Sequence, residues 1–432
     1  MNSFWTNTAT LPTFPSMTHD VRADVLVIGG GLTGLLCAQH LKRVGLTVVV
    51  TEADTIGSGV TGRTTAKITT QHGAIYHTIA KRYGLHVARQ YYEANVEALE
   101  AYRAFEDDCD LKTCDGFLFS RIHREVLEAE YNTLRAIGVE AEWSEDVELP
   151  FPVAGALRIP HQAQVHPFKL LASLTEGLTI YEHTRAREIR GNIVTTDNGT
   201  TITAESIIVA THFPFLNRHG AYFLKLYQHR SYVAVVDKAP PLEGMYWEAS
   251  NSGLTLRQCG DQLLVVGGGH RTGKPGLGWK AAEQLVRHYY PNAEITARFA
   301  TQDCMSLDGI PYIGHYAKHT PQLYVATGFN GWGMTSAMTA ALLLTGELIG
   351  KPKSWATVFS PDRTIWHPQL AVNAGETLKT MVTPTAPRCP HLGCALKWNA
   401  AERSWDCPCH GSRFSENGKL RNGPATGDAK KG

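Results

Sequence analysis

At 432 residues the chain exceeds a single core of ordinary size, so two or three domains are expected. Hydrophobic residues make up 43% and charged residues 19% of the sequence, which is typical of a soluble globular protein. The formal net charge of +1 gives no electrostatic reason to expect a nucleic acid or an anionic membrane as a partner.

Membrane insertion and secretion are both disfavoured by the sequence. No apolar run reaches the roughly 18 uninterrupted residues that a membrane span needs, and the first twenty residues lack the basic start and apolar segment of a secretion signal. Five cysteines are scattered without a pairing pattern, as expected for reduced thiols: Cys37, Cys109, Cys114, Cys259 and Cys304. We therefore predict a cytoplasmic protein without a membrane span.

The first recognisable element is a strand, a glycine turn, a helix and a second strand between residues 24 and 52. Gly29, Gly31 and Gly34 form a G-x-G-x-x-G turn, in which the glycines permit a tight bend and the approach of a pyrophosphate to the helix N-terminus. Glu52, after the second strand, is at the distance expected for an acid that binds the adenosine ribose. The pattern predicts a Rossmann-type dinucleotide site.

Four further segments carry a family resemblance. They are GSGVTGRTTAKITTQHG at 57–73, IIVATHFPF at 207–215, DGIPYIG at 308–314 and LYVATGFNGWGMTSAMTAALLLTGELIG at 323–350. Together with the glycine turn they resemble the D-amino-acid oxidase superfamily of FAD enzymes, in particular its glycine, sarcosine and γ-glutamylputrescine oxidase-like members. The resemblance implies further FAD-binding positions, with the late helix aimed at the flavin: Thr64, Thr65, Gly328, Gly331, Gly333, Met334 and Thr335.

A second glycine-rich stretch, LLVVGGGHRTGKPG at 263–276, does not predict another dinucleotide site. Thr272 stands where the third glycine belongs, and Pro275 and Gly276 interrupt any following helix. Without a nicotinamide domain of its own, the chain must receive electrons from a substrate oxidised at the flavin or from outside.

The resemblance also divides the chain into domains. Ranges 1–110, 150–220 and 301–358 are predicted to form the FAD-binding domain, with one amphipathic helix over 78–110. Ranges 111–149 and 221–300 show mixed strand patterns, and the resemblance implies an inserted substrate domain that covers the flavin. The predicted fold class is thus α/β and α+β, followed by a small all-β module at the C-terminus.

Candidate catalytic residues follow from motif position alone. Lys67, His72 and Trp332 are the candidates, and His270 and Arg271 are further polar positions expected near the flavin. For each of them a packing or supporting role is the alternative. Cys304 leaves open whether FAD is attached covalently, as in some relatives of sarcosine oxidase.

The C-terminal stretch CPHLGCALKWNAAERSWDCPCHG concentrates four cysteines and two histidines within residues 389–411. A Cys2His2 set suits tetrahedral zinc, so zinc is the default on ligand types alone. A zinc site has no use for the two remaining cysteines, however, nor for the glycines and prolines around them.

CPHLGC paired with CPCHGS strongly resembles the Rieske proteins, in which two thiolates and two imidazoles hold a [2Fe-2S] cluster. The resemblance implies Cys389 and Cys407 on one iron and His391 and His410 on the other. It also implies a disulfide between the cluster loops, formed by Cys394 and Cys409. Ser412 matches a serine that bonds a bridging sulfide. Phe414 replaces the tyrosine of high-potential members, so we expect a lower potential.

The cluster module is short. It is predicted to span 387–432 after a linker at 359–386, with Trp398 and Trp405 in a hairpin. It carries eight Lys and Arg against four Asp and Glu, which is consistent with docking on the remaining, net acidic chain.

The sequence as a whole predicts an FAD-dependent oxidoreductase with a small-molecule substrate, in which electrons pass from flavin to the cluster and on to an external acceptor. By resemblance the substrate is an amine or amino acid, oxidised at a CH-NH or CH-NH2 group. Two alternatives remain open: a non-catalytic electron carrier between partner proteins, and an O2-using oxidase with a structural cluster.

Overall fold

The computed structural model describes residues 4–216, 219–250, 253–384 and 387–429. Residues 430–432, at the end of the predicted cluster module, lie outside the described part of the chain. Within it the strands form three sheets of eight, nine and four strands. No helix in these ranges is long and apolar enough to cross a membrane.

The eight-stranded sheet forms the centre of the nucleotide-binding half, and the buried β-branched residues of its first strands account for its parallel core. Its order is β16-β17-β10-β1-β2-β7, with β9 joined to β10 and β8 to β9. The strands are β1 (Val21–Ile28), β2 (Val48–Thr51), β7 (Thr179–Tyr181), β8 (Ala186–Arg190), β9 (Ile193–Thr196), β10 (Thr201–Val209), β16 (Tyr312–His315) and β17 (Leu323–Thr327).

In the nine-stranded sheet all neighbouring strands are antiparallel except β12 and β4, which pair in parallel. Its order is β15-β11-β14-β13-β12-β4-β6-β3, with β5 paired to β6. The strands are β3 (Lys67–Ile68), β4 (Lys112–Ser120), β5 (Glu142–Ser144), β6 (Gly155–Gln164), β11 (Tyr227–Asp237), β12 (Met245–Glu248), β13 (Thr255–Cys259), β14 (Gln262–Arg271) and β15 (Glu294–Met305).

The four-stranded sheet belongs to the cluster module and runs β18-β19-β20-β21, all antiparallel. Trp398 faces Trp405 across the first pair, which confirms the predicted hairpin. Its strands are β18 (Lys397–Asn399), β19 (Ser404–Asp406), β20 (Arg413–Ser415) and β21 (Leu420–Asn422).

Nine α-helices surround the sheets in the described ranges. α1 and α8 pack together against the eight-stranded sheet, and α9 lies between the flavin half and the cluster module. The helices are α1 (Leu32–Arg43), α2 (Ile75–Tyr83), α3 (Leu85–Tyr102), α4 (Arg124–Ala136), α5 (Pro167–Leu174), α6 (Tyr222–Lys225), α7 (Lys280–Tyr289), α8 (Gly333–Leu348) and α9 (Pro368–Val382).

The prediction of one helix over 78–110 is wrong. Gly84 adopts φ +94° between α2 and α3, a conformation that a helix interior does not accept, and α3 ends at Tyr102. In the glycine-rich stretch at 263–276, β14 continues to Arg271 and pairs with β11, with a register shift between Gly267 and His270.

The domain boundaries remain predictions, but the structure shows what each range contains. β6 lies in the range assigned to the FAD-binding domain and pairs with β4 in the nine-stranded sheet. The predicted linker at 359–386 contains α9, a helix of 15 residues.

Candidate functional site

The glycine turn joins β1 to α1 as its spacing predicts. A Cβ added at Gly34 would lie 1.9 Å from the carbonyl oxygen of Gly29, and one at Gly29, where φ is +118°, would lie 2.5 Å from that of Ala210. No side chain fits at either position. The turn therefore keeps the backbone open for a ligand at the start of α1.

Glu52 closes the second strand beside this turn. Its Oε2 accepts a hydrogen bond from the Gly30 N–H at 2.8 Å, and its Oε1 accepts one from the Asp54 N–H at 2.9 Å. Burial raises the pKa of Glu52, while the two N–H groups act in the opposite direction. The carboxylate is thus fixed at the edge of the turn, where an adenosine ribose binds in this type of site.

One cavity of about 1630 Å³ extends from the glycine turn to the cluster module. Small-molecule cavities usually measure about 300–1,000 Å³, so this one has room for a dinucleotide and a substrate together. The predicted FAD-binding and catalytic residues that line it are Gly29, Gly31, Glu52, Thr64, Thr65, Lys67, Gly331, Trp332, Gly333 and Met334. Four other predicted residues are not in its lining: Gly34, His72, Gly328 and Thr335.

The late glycine loop leads into α8, whose first turn faces the cavity. Tyr102 donates its hydroxyl hydrogen to the carbonyl oxygen of Met334 at 2.7 Å, and Thr335 Oγ1 donates to the Thr69 carbonyl at 2.9 Å. These bonds fix the helix N-terminus, where the partial positive charge favours an anionic group such as reduced flavin. Thr335 therefore supports the site from behind, and Gly328 adopts φ +73° in the preceding turn.

Two ionisable side chains, Lys67 and Asp303, line the cavity near the late glycine loop. Burial lowers the pKa of Lys67 to about 7, an effect to which Arg257 adds, and burial raises the pKa of Asp303 to about 6. The Lys67 ammonium lies 5.6 Å from the ring centroid of Trp332 and 5.9 Å from that of Trp247. Sequence reasoning missed Asp303, because nothing in QDCM distinguishes an acid in a cavity from one at the surface.

His72 does not reach the cavity. Its ring stacks on Trp332 at a centroid distance of 5.1 Å, and its nitrogens bond Tyr91 Oη at 2.7 Å and the Thr69 carbonyl at 2.8 Å. Burial lowers its pKa to about 3, so the ring is neutral at physiological pH. The structure thus makes His72 a support for Trp332.

Arg271 and His270, the other two polar residues expected near the flavin, have different surroundings. Arg271 lines the cavity and donates to the carbonyls of Pro408 and Cys409 in the cluster module, at 3.3 and 3.4 Å. His270 stacks on Tyr232 at 5.6 Å. The thiol of Cys304 is buried, which raises its pKa to about 12.

The cluster centre consists of two loops of similar build. The Cys389 carbonyl accepts from Gly393 N–H and the Cys407 carbonyl accepts from Gly411 N–H, both at 2.9 Å. A disulfide joins Cys394 to Cys409 across them. The two loops thereby form a paired frame around the remaining cysteines and histidines.

Four side chains converge between these loops. The His391 and His410 rings meet edge to face at 4.9 Å, and the Cys389 and Cys407 thiols are hydrogen-bonded to each other. That bond, together with the backbone N–H groups of His391 and Leu392, lowers the pKa of Cys389 to about 7. The arrangement suits two thiolate and two imidazole ligands.

His410 has the tautomer that a metal ligand requires. Its Nε2–H donates to the Phe223 carbonyl at 2.9 Å, so Nδ1 carries the lone pair. Nδ1 is buried and has no hydrogen-bond partner among the described residues. Burial lowers the pKa of His410 to about 3 and that of His391 to about 4, so both rings stay neutral.

Distance alone would suggest another metal site. The sulfurs of Cys394, Cys407 and Cys409 lie within 4.8 Å of one another. Two of them form the disulfide and offer no thiolate, so this trio is not a ligand set. The chemistry of the four convergent side chains fits a Rieske cluster better.

Comparison with known proteins identifies two regions. The family described as "FAD dependent oxidoreductase" (DAO) matches residues 24–346, and the family described as "Rieske [2Fe-2S] domain" matches residues 359–431. The second match starts inside the segment predicted as a linker and includes α9.

Two curated relatives and one solved structure place these regions in context. The Bacillus subtilis protein YhfW, whose name describes it as a Rieske 2Fe-2S iron-sulfur protein, is 32% identical over 98% of this chain and 96% of its own. The γ-glutamylputrescine oxidoreductase of Escherichia coli is 29% identical over 46% of this chain and 50% of its own. Glycine oxidase from Geobacillus kaustophilus superposes with a TM-score of 0.67 at 21% identity, over 81% of this chain and 100% of its own.

Proposed function

The chain belongs to the DAO family of FAD-dependent oxidoreductases and carries a C-terminal Rieske [2Fe-2S] domain, and we propose that it oxidises a small amine or amino acid and passes the electrons through the cluster to an external acceptor. One observation carries the proposal. A single cavity is lined by the dinucleotide turn, by the pair Lys67 and Asp303, and by Glu402 and Arg413 of the cluster module.

The FAD would be held along that cavity. Gly29 and Gly31 would face the pyrophosphate, Glu52 the ribose, and the start of α8 at Gly331 and Met334 the flavin ring. Bound FAD supplies a two-electron acceptor for a hydride and can release electrons one at a time to a cluster.

Lys67 is the residue we assign to proton handling. Because its pKa is lowered to about 7 by burial, a neutral fraction is present near neutral pH. A neutral Lys67 can take a proton from a substrate ammonium, and a neutral amine donates a hydride more readily. The rings of Trp332 and Trp247 lie beside the Lys67 ammonium and line this end of the cavity.

Cys389, His391, Cys407 and His410 are the proposed cluster ligands. The neutral rings of both histidines and the available lone pair of His410 Nδ1 support this assignment. We further propose an external one-electron acceptor protein and a cytoplasmic location. Cys37 and Cys304 are buried free thiols, which is consistent with a reducing compartment.

An anaerobic screen of amines, amino acids and 2-hydroxy acids tests the function. We expect one class to bleach the flavin and to produce the EPR signal of a reduced Rieske cluster. Bleaching without the cluster signal would instead indicate an O2-using oxidase with a structural cluster. No bleaching by any substrate, with rapid reduction by a reductase, would indicate an electron carrier and overturn the proposal.

A further inference from the structure

Strand β15 lines the cavity and also contacts the cluster loops. Asp303 lies on the cavity side, where a Cβ added at Gly331 of the late glycine loop would be 3.9 Å from its Cγ. The preceding residue, Gln302, donates through Nε2 to the Gly411 carbonyl of the cluster loop at 2.9 Å. A single strand, β15, thus contacts the cavity at Asp303 and the cluster loop at Gln302.

Two buried glutamines hold the cluster loop against strands β11 and β15. Gln228 of β11 donates to the His410 carbonyl at 2.8 Å, and Gln302 of β15 donates both to Gly411 and to the side-chain oxygen of Gln228. Their side chains are 2% and 4% exposed, and Thr272 Oγ1 donates to Gln302 Oε1 at 3.2 Å. We refer to Gln228 and Gln302 as the glutamine clamp.

Aromatic rings continue the contact to the cluster ligand itself. Phe213 lines the cavity, and its ring lies edge-on to the His410 ring at a centroid distance of 6.0 Å. The Phe223 carbonyl accepts the Nε2–H of the same histidine. His410 is 1% exposed, so this ligand faces the flavin half rather than solvent.

Movement of the module away from the flavin half would be costly. It would expose the two clamp amides and separate the carboxylate of Glu402 from the buried guanidinium of Arg230. Buried polar groups of this kind are stable only while their partners stay in place. The docked position is therefore the resting position of the module.

We propose that the glutamine clamp fixes the His410 loop against the cavity, so that the cluster takes electrons from reduced flavin in the same chain without moving. The proposal rests on the proposed function only for its two cofactors. In each transfer one electron would leave the reduced flavin and convert one ferric ion of the cluster to ferrous, and the protons carried by the reduced flavin would be released as it is reoxidised. A second electron follows after an external one-electron acceptor has reoxidised the cluster.

Laser-flash photoreduction of the flavin in the holoprotein tests this without any substrate. Cluster reduction is followed by visible circular dichroism at several protein concentrations. We expect first-order kinetics with a rate constant independent of protein concentration. A rate that rises in proportion to protein concentration would mean transfer between molecules and would overturn the proposal, whatever the outcome of the substrate screen.

The clamp itself is tested by Gln228→Leu combined with Gln302→Leu. We expect cluster reduction to slow by about tenfold or more, as is typical for loss of residues that orient ligands, and the EPR g-values of the reduced cluster to shift. The control is Gln322→Leu, which removes a 2.9 Å bond to the Gly191 carbonyl that involves no residue of the module. An unchanged rate and EPR signal in the clamp variant would overturn the role of the clamp.

A milder variant provides a second test in case the double variant loses its cluster. Gln228→Asn shortens the side chain by one methylene and withdraws its amide from the His410 carbonyl, and it leaves a polar group in place. Flavin and iron are quantified in every variant. With full cofactor content, we expect Gln228→Asn to fall between the wild type and the double variant; equality with the wild type would count against the clamp.

Discussion

Neutralising Glu402 should loosen the cluster module from the flavin half. Arg230 of β11 donates from Nε to Glu402 Oε2 at 2.6 Å and from a second nitrogen to the other oxygen. Arg413 of the module also contacts Glu402, at 3.0 Å. The Arg230 side chain is 5% exposed and that of Glu402 11%, so water screens this pair poorly.

The size of the free-energy change in Glu402→Gln depends on which carboxylate partners Arg230 and Arg413 retain. Arg413 retains Asp406 at 3.0 Å, whereas Arg230 loses its bidentate carboxylate and stays buried. Breaking a buried pair in this way costs about 3–5 kcal/mol. Because only one arginine loses its carboxylate, we expect the lower end, about 3 kcal/mol, which is roughly a hundredfold in the docking equilibrium.

The same pair predicts a pH dependence. Burial alone would raise the pKa of Glu402, but the bond and charge of Arg230 dominate and lower it. A lowered folded-state pKa gives stability that is present above the unfolded value of about 4.3 and is lost as the pH falls through the folded value. The wild type and Glu402→Gln should therefore differ at neutral pH and converge only in acid.

Urea unfolding of the holoprotein measures this effect, with circular dichroism for the cluster and fluorescence for the flavin. We expect the cluster transition to move to lower urea in Glu402→Gln. The control is Glu416→Gln, which removes an exposed pair with Arg403 and should cost about 0–1 kcal/mol. If both variants shift the cluster transition equally, the reasoning about burial is refuted.

Three further changes address the two cofactor sites. Phe414→Tyr, in the buried group that contains Cys407, should raise the cluster potential by about 40 mV if the new hydroxyl bonds a cysteine sulfur; potentiometric EPR titration measures it, and an unchanged potential contradicts it. Gly34→Ala should abolish FAD retention, since its Cβ would lie 1.9 Å from the Gly29 oxygen; stoichiometric flavin after gel filtration would argue against this. With an amine substrate, the rate of flavin reduction should rise as the pH increases through about 7, because Lys67 loses its proton in that range. Stopped-flow measurements on Lys67→Gln should show no such rise. A rise that persists in this variant would assign the pH dependence to another group.

Local motifs predicted the two cofactor regions because their chemistry requires fixed spacings. Gly29, Gly31 and Gly34 need only one turn of chain to act, and Cys389 and His391 lie within a single loop. Such patterns are visible in a sequence before anything is known of the fold. The hairpin at Trp398 follows from a similarly local signal.

The contacts between the cluster module and the flavin half could not be predicted in this way. Gln228 and Gln302 come from strands that pair across more than seventy residues, and each looks like an ordinary polar strand residue. Glu402 meets Arg230 only because the module packs on β11. The position of His72 could not be predicted either. Its place in the motif suggested that it lines the cavity, whereas in the fold it stacks on Trp332 and is not part of the lining.

Burial of the disulfide in the cluster module also affects how readily external thiols can reduce it. Cys394 and Cys409 are 1% and 2% exposed, and the Thr380 hydroxyl of α9 lies 2.8 Å from the sulfur of Cys409. Exchange requires an attacking thiolate to reach one of the two sulfurs. If the protein is in a reducing compartment, glutathione would meet a closed surface here, and the crosslink would persist for as long as α9 stays in place.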